Sequence, residues 1–256
     1  MKKVIADLHT HTLASGHAYS TIQEMAQRAS EMGIKLLGIT EHGPMVPSSC
    51  QPIYFHNYKV INRYYNGVRL LMGAEVNILD YDGNLDLTSG DMRWFDICIA
   101  GIHNNVCYSA GSVMENTRAY CKVMENPDVD IISHPDDGRV PVDYEQLVRN
   151  SKETNVLLEL NNSSLNPFNV RAKGNSAENM RTMMKYCEKY DVPLIINSDA
   201  HYSMEVGDFS RVQSLIEEVH FPQELIVNYS VENVLKYLHR FDSEKLLKEL
   251  KEKEVI

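Results

Sequence analysis

Seven short apolar runs recur along the 256-residue chain, and most of them end at or just before a residue that can bind a metal ion. The runs are continuous and not alternating, which is typical of parallel strands buried on both faces. They occupy residues 3–7, 35–39, 68–75, 96–101, 129–133, 155–160 and 192–197. Segments with helical spacing of apolar residues lie between them. We therefore predict an α/β fold, a parallel seven-stranded barrel with helices outside.

The length of the chain matches one such barrel, so we expect a single domain over residues 1–242. Residues 243–256 are rich in charge, with Leu246, Leu247 and Leu250 on one side, and are predicted to form a terminal amphipathic helix or tail. This helix could pack on the barrel or bind a partner, and the pattern leaves both readings open.

The formal net charge of −10, with no long basic run, disfavours a nucleic acid as partner. The five cysteines are an odd set without a Cys-x-x-Cys pair, which favours reduced thiols in the cytoplasm over a disulfide framework. No signal peptide or membrane span is evident, so we expect no membrane partner. Assembly of copies into a homo-oligomer stays open.

Two local patterns lead to expectations about the loops. Ser20, with Gln23 three residues later, resembles a capping box at the start of a helix. Residues 43–57 contain three prolines, which argues against a helix. Because this stretch follows His42, we interpret it as an irregular loop that contacts the substrate.

The metal-binding residues are expected to converge. His9 and His11 lie two residues apart in an extended segment, so both imidazoles project to the same side. The carboxyl ends of parallel barrel strands meet at one face of the barrel, where function places residues. Imidazole and carboxylate ligands suit zinc, manganese or iron. The other candidate ligands at this face are His17, His42, Glu75, His103, His134, Asp199 and His201.

Several ordered motifs carry a resemblance to a known family. They are Asp-Leu-His-Thr-His at 7–11, His-Ala-Tyr-Ser at 17–20, Ile-Thr-Glu-His-Gly-Pro at 39–44, Gly-Ala-Glu at 73–75, Ala-Gly-Ile-His at 100–103, Ile-Ile-Ser-His-Pro at 131–135, Glu-Leu-Asn-Asn-Ser-Ser at 159–164 and Ser-Asp-Ala-His at 198–201. With these motifs the chain resembles the polymerase and histidinol phosphatase (PHP) domain, in particular its small stand-alone YcdX-like phosphatases.

The resemblance implies a distorted, TIM-like seven-stranded barrel with three divalent metal ions, zinc first and manganese or iron as alternatives. Glu75 would be shared by two of the ions. By motif, the first ion would be bound by His9, His11, Glu75 and Asp199, the second by Glu75, His103 and His134, and the third by His17, His42 and His201.

Such a site suits hydrolysis of a small-molecule phosphomonoester by a metal-activated hydroxide, with Glu75, Asp199 and His201 as the catalytic residues. Asp7 is expected to accept a hydrogen bond from a ligating imidazole, or else to be a polar residue at a strand end. Glu41 stands where relatives commonly carry aspartate.

Substrate contacts are expected from residues near the barrel rim. These are Arg171, Lys173, His56 and Asn162. The alternatives are a solvated basic loop for Arg171 and Lys173, and a structural role at the rim for Asn162.

Two other functions remain open from the residues alone. Metal-dependent amidohydrolases also carry His-x-His after the first strand, but they typically bridge their metals with a modified lysine after the fourth strand, where this chain has His103. A non-catalytic, metal-bound accessory module is the other alternative, because some PHP domains are appended to polymerases.

Overall fold

The computed structural model describes residues 2–256, and within this range eight strands form one sheet. The strands are β1 Ala6–Asp7, β2 Leu36–His42, β3 Tyr64–Tyr65, β4 Val68–Asn77, β5 Ile97–Gly101, β6 Ile131–Ile132, β7 Leu157–Asn161 and β8 Leu194–Asn197. Seven of them are parallel, in the order β1-β2-β4-β5-β6-β7-β8, while β3 pairs antiparallel with β4. The predicted parallel seven-stranded α/β barrel is therefore confirmed.

The barrel is nearly closed between β1 and β8. Beyond the end of β1, His11 N donates to Ala200 O at 2.9 Å and Asp199 N donates to His9 O at 3.0 Å. Closer to the amino end, Asn228 Nδ2 donates to Ala6 O at 2.9 Å and to Ile196 O at 2.6 Å. The carboxamide thus pairs backbone groups of β1 and β8 that have no neighbouring strand.

Helices cover the outside of the barrel and its amino end. They are α1 Ile22–Met32, α2 Pro52–His56, α3 Ser89–Met92, α4 Val113–Met124, α5 Tyr144–Thr154, α6 Ser176–Tyr190, α7 Ser210–Glu218, α8 Val231–Leu235 and α9 Ser243–Glu252. The apolar stripe of α6 (Met180, Met183, Met184 and Cys187) is buried in the outer core, as its helical spacing predicts. No helix within residues 2–256 combines the length and apolarity needed to span a membrane.

The helix that follows the first strand begins one residue later than predicted. Thr21 is the N-cap, and its side chain and that of Glu24 form the capping box. Ser20 is not available for this role, because its hydroxyl accepts a hydrogen bond from Ser203 N at 3.0 Å. The sequence correctly predicted a capping box, but the contact with Ser203 leaves Thr21, and not Ser20, as the N-cap residue.

The prediction that residues 43–57 are irregular is wrong at their end. Pro52 begins the short helix α2, in its first turn. A proline there removes no hydrogen bond of the helix and has the required φ angle, so it favours a helix start.

The interior of the barrel has its own apolar core, separate from the outer layer. Inward-facing residues of the strands pack there against α8 and α9. Leu246 and Leu250 of α9 are buried in this cluster. The two helices therefore close the amino end of the barrel, and the polar groups gather at its carboxyl end.

We predict that Leu250→Ala lowers the free energy of unfolding by about 2–5 kcal/mol, because it removes a fully buried side chain from this core. Urea unfolding followed by circular dichroism would measure the change. The matched control is Lys248→Ala on the exposed face of α9, where the side chain is 80% exposed, with an expected change within about 0.5 kcal/mol. Equal stability of the two variants would show that α9 does not support the barrel.

Candidate metal centre

The structure brings the nine predicted ligands together at the carboxyl end of the barrel. Each comes from the end of a strand or from the loop after it, as expected for parallel strands. They are His9, His11 and His17 after β1, His42 at the end of β2, Glu75 in β4, His103 after β5, His134 after β6, and Asp199 and His201 after β8.

Glu75 lies at the centre of this group and is fully buried. Its Oε1 accepts a hydrogen bond from Ser133 Oγ at 2.7 Å and lies 2.8 Å from His134 Nε2. Its Oε2 has no hydrogen-bond partner among the described residues. Four imidazole nitrogens surround this oxygen: His42 Nδ1 at 2.9 Å, His9 Nε2 at 3.4 Å, His103 Nε2 at 3.5 Å and His11 Nε2 at 3.6 Å. A buried carboxylate oxygen without a donor is costly unless a cation contacts it, so this donor set fits a divalent metal.

The contacts of His9 and His11 show where their lone pairs point. His9 Nδ1 lies 2.8 Å from the carboxylate of Glu159 and must donate to it. His11 Nδ1 lies 3.2 Å from Ser15 Oγ, which donates its own proton to Glu41 at 2.6 Å and so accepts from His11. In the neutral rings both Nε2 atoms then carry lone pairs, and they face each other at 3.0 Å. A metal ion between them, or a proton shared by the two nitrogens, would remove this repulsion.

His17 and His201 repeat this arrangement on the solvent side. Each Nδ1 is 3.1 Å from a carbonyl oxygen, that of Ser15 for His17 and that of Asp199 for His201, and therefore carries the proton. The two Nε2 atoms lie 3.0 Å apart. A second pair of lone pairs thus faces a common point, which again suits a metal ion.

The electrostatics agree with a site that attracts cations. Burial lowers the pKa of His9, but the carboxylates of Glu159, Glu75 and Asp199 outweigh it and hold the pKa well above its ordinary value. Burial and neighbouring imidazoles hold the pKa of His11 well below its ordinary value, and burial lowers the pKa of His42 to about 3. Neutral imidazoles are the form that binds metals.

Three groups of side chains have possible ligand atoms within 4.8 Å of one another. They are His9 with His11 and Asp199, His42 with Glu75 and His103, and His11 with His42 and His201. The ligand sets implied by the family resemblance put His42 only with His17 and His201. In the structure its Nδ1 lies against Glu75, so His42 stands between two of the expected ion positions.

Sequence reasoning assigned no role to Glu159, which the structure places directly behind the ligands. Its Oε1 accepts from His9 Nδ1 and from Asn197 Nδ2, both at 2.8 Å. Its Oε2 accepts from His134 N at 2.8 Å and from Asn161 Nδ2 at 2.9 Å. Glu159 therefore orients ligands from two strands. Its position two residues before Asn161, on the same face of β7, was the signal that could have found it.

Asn77 and Glu41 orient other ligands. Asn77 Oδ1 lies 2.7 Å from His103 Nδ1, and Asn77 Nδ2 donates to Asp86. Glu41 accepts hydrogen bonds from Thr12 and from Ser15, which contacts His11. The longer side chain of Glu41 therefore acts on the ligand through Ser15 and not directly.

The structure corrects the expected contact of Asp7. We expected its carboxylate to accept from a ligating imidazole, but it accepts from Ser198 N and Gly207 N, both at 3.0 Å. Burial raises the pKa of Asp7 to about 6. Its contacts hold the loop that carries Asp199 and His201, so its effect on the ligands is indirect.

The backbone is strained at two of the ligands. His134 and Asp199 have φ angles of 31° and 55°, a region that non-glycine residues rarely adopt. The neighbouring Gly101 leaves no room for a side chain, because a Cβ there would lie 2.2 Å from Ser133 Oγ and 2.9 Å from Glu75 Oε1. Strain and close packing of this kind are typical of functional sites.

A pocket of about 380 Å³ opens above these ligands. It is lined by His17, His42, Glu75, His103, Arg139, Ser163, Asn169, Val170, Arg171, Asp199, His201 and Glu205. Arg171 forms an ion pair with Asp199 Oδ2, and its Nε has no hydrogen-bond partner among the described residues. Arg139, Asn169 and Glu205 were not anticipated, since each belongs to a loop whose position depends on the whole fold.

Three expected substrate contacts do not lie in this pocket. His56 lines a separate apolar cavity, and its Nε2 is 2.9 Å from Asp91 Oδ1. Asn162 Oδ1 accepts from Arg211 N and Val212 N at the start of α7, which is the structural role left open for it. Lys173 is exposed and is not among the pocket-lining residues. Of the described residues that line the pocket, none comes from residues 43–57, so that loop is also not placed at the substrate site.

Comparison with known proteins identifies the family. The sequence profile of the PHP domain matches residues 7–255. The chain belongs to the PHP domain family. A relative from Clostridium novyi, named a probable phosphatase, is 44% identical over 236 residues, which are 92% of this chain and 95% of the relative. The predicted membership, and with it a PHP-type phosphatase, is confirmed.

Solved structures with this fold are more distant in sequence. Histidinol phosphate phosphatase from Lactococcus lactis, complexed with zinc, L-histidinol and phosphate, has a TM-score of 0.57 at 15% identity and covers 86% of this chain and 95% of its own. A chain in the cryo-EM structure of archaeal ribonuclease P with mature tRNA has a TM-score of 0.59 at 16% identity, covering 95% of this chain and 93% of its own. At these identities the likeness shows the fold.

Proposed function

We propose that this PHP-family protein hydrolyses small-molecule phosphomonoesters and binds three divalent metal ions when fully loaded. The observation that carries the proposal is Glu75 Oε2, a buried carboxylate oxygen with no hydrogen-bond partner among the described residues and four imidazole nitrogens within 3.6 Å. A shared carboxylate at this position is the arrangement by which two ions can be held side by side.

The family motifs suggest how the ligands would divide among the ions, and the contacts between His134 and Glu75 and between His17 and His201 support parts of that division. His9, His11, Glu75 and Asp199 would hold one ion, Glu75, His103 and His134 a second, and His17, His42 and His201 a third, with His42 also in reach of the second. Zinc is the first choice, because the donors are imidazole and carboxylate and the Lactococcus lactis phosphatase was solved with zinc. Manganese and iron accept the same donors.

Bound divalent ions would lower the pKa of a water molecule toward neutrality and offset the negative charge of a phosphate. Side chains of the protein line the pocket in which the phosphate would bind. Arg171 lines the pocket and pairs with Asp199 Oδ2, while its Nε has no hydrogen-bond partner among the described residues, so its guanidinium is a candidate donor to a phosphate oxygen. His201, Glu75 and Asp199 line the same pocket, and we assign these three as the catalytic residues.

We also propose a cytoplasmic location, where thiols stay reduced. All five cysteines are free thiols. The thiol of Cys107 donates a hydrogen bond to Asn77 Oδ1 at 3.1 Å. Burial raises the pKa of Cys107 to about 12, so it stays a thiol at neutral pH.

The test combines metal analysis with a panel of phosphate esters. Purified protein loaded with zinc, manganese or iron should hold about three ions per chain and hydrolyse phosphomonoesters, and His42→Ala should lose both metal and activity. The control is His220→Asn, which replaces an exposed histidine at φ 54° with a residue that tolerates this backbone. Full metal occupancy without hydrolysis of any ester would favour a non-catalytic module, and turnover of cyclic amides alone would favour an amidohydrolase.

A further inference from the structure

Five apolar side chains that the fold leaves in solvent belong to loops whose residues line the active-site pocket. Phe168 is 93% exposed, Tyr19 74%, Met204 58%, Val170 54% and Tyr202 50%. Val170 lines the pocket itself, and each of the other four lies within two residues of a residue that lines it. We call these five residues the apolar rim. Clusters of exposed apolar groups next to a cleft mark sites where a ligand is bound.

The loop that carries Phe168 and Val170 is folded by its own side chains. Asn166 Oδ1 accepts from Phe168 N at 3.1 Å, and Asn169 Oδ1 accepts from Arg171 N at 3.0 Å. These turns are tied to the pocket, because Arg171 pairs with Asp199. The loop therefore presents Phe168 outward from an anchored backbone, and the exposure of its ring is a property of the folded loop.

The opposite side of the rim is joined to the metal ligands. Tyr19 N donates to His201 O at 2.8 Å, so the loop after β1 and the loop after β8 are held together. Tyr19 and Tyr202 come from these two joined loops. Exposed apolar side chains thus occur in three loops that also line the pocket, those after β1, β7 and β8.

The charges at the mouth are balanced. Arg139 pairs with Asp137 at 2.6 Å, and Glu205 accepts from His201 N at 3.2 Å. Arg139 and Glu205 are the charged lining residues that are neither candidate ligands nor paired with one through a side chain; they have opposite signs and both have partners, so neither a polyanionic nor a polycationic group is favoured there. The free energy available at the rim comes from covering apolar surface.

We propose that the apolar rim binds the leaving group of the substrate and that this leaving group is an uncharged aromatic or similarly flat apolar alcohol. The inference rests on the proposed function, because it assumes that the phosphate lies on the metal ions. From a phosphate held there, the ester substituent would extend toward Val170, which lines the pocket two residues from Phe168. Burial of one aromatic ring there is expected to change affinity by about 10- to 100-fold.

The kinetic test compares two esters of aliphatic alcohols, so that the difference in chemical reactivity is small. Benzyl phosphate should have kcat/KM about tenfold or more above that of glycerol 3-phosphate with the metal-loaded protein. Phe168→Ala should reduce this preference about tenfold through KM, and Phe168→Tyr should retain it. Trp94→Ala is the control, since Trp94 is an exposed aromatic residue that precedes β5, at the opposite end of the barrel. A preference near one in the wild type, or one that Phe168→Ala leaves unchanged, would overturn the inference.

A binding test separates this inference from the proposed function. Calorimetry would compare 2-phenylethylphosphonate with 3,4-dihydroxybutylphosphonate, which mimic the two esters but cannot be hydrolysed. Tighter binding of the phenyl compound that is lost in Phe168→Ala would support the apolar rim even if no ester were turned over, in which case only the proposed reaction would fail. Equal binding of the two phosphonates would overturn the apolar rim whether or not esters are hydrolysed.

Discussion

Glu75→Gln is expected to lower phosphatase activity by about 10³-fold or more, which corresponds to about 4 kcal/mol of transition-state stabilisation. Glutamine has the same shape but no charge, and its amide nitrogen cannot bind a cation. Since Glu75 Oε2 faces the nitrogens of His9, His11, His42 and His103, the loss affects more than one ion. Steady-state kinetics on a phosphomonoester, with metal content measured on the same sample, would show both effects.

The metal-free form of this variant provides an independent measurement. In wild-type protein, zinc should raise the melting temperature, because an ion that binds only the folded state stabilises it. In Glu75→Gln this shift should be much smaller, while the melting temperature in chelator stays close to that of wild type. Glu188→Gln, an exposed residue on α6, controls for the loss of a negative charge. A Glu75→Gln protein with full metal content and normal activity would contradict the central role of this carboxylate.

Glu159→Gln is expected to weaken metal binding by about 10- to 100-fold without removing a ligand. All four groups around the carboxylate are donors: His9 Nδ1, Asn197 Nδ2, His134 N and Asn161 Nδ2. An amide at this position places an NH₂ group against two of these donors. The ring of His9 then loses the partner that fixes its Nδ1 proton and directs its Nε2 lone pair toward His11.

Competition with a chromophoric chelator would measure the affinity for zinc in Glu159→Gln, in wild type and in Glu188→Gln. Circular dichroism and the unfolding midpoint in chelator would show whether the fold is retained. An affinity within about twofold of wild type, in a folded protein, would mean that His9 needs no carboxylate behind it and that the role of Glu159 is structural.

The barrel and the convergence of the candidate ligands were predictable because both depend on order along the chain. Continuous apolar runs indicate buried parallel strands, and the direction of parallel strands brings every following loop to one end. The two-residue periodicity of extended backbone put His9 and His11 on the same side before any contact was known. These arguments need only neighbouring residues, which is why they transferred correctly to the structure.

The contacts that the sequence did not predict belong to side chains that can bond several partners. Ser20, Asn162 and His56 each carry groups suited to the predicted role, but in the fold they contact Ser203, the start of α7 and Asp91, respectively. A hydroxyl or carboxamide bonds whichever group the tertiary structure brings near. The local sequence does not show which of the possible hydrogen-bond partners the side chain will contact.

Strand-forming runs and the candidate ligands that follow them were encoded locally, and they sufficed for the fold class, the convergence of the candidate ligands and the family. The folded chain alone revealed that Glu159 contacts two candidate ligands, that His42 belongs to two groups of candidate ligands, and that Arg139 and Glu205 line the pocket. The reason is physical: hydrophobic burial follows periodicity along the chain, whereas hydrogen bonds and ion pairs depend on distances between loops far apart in sequence.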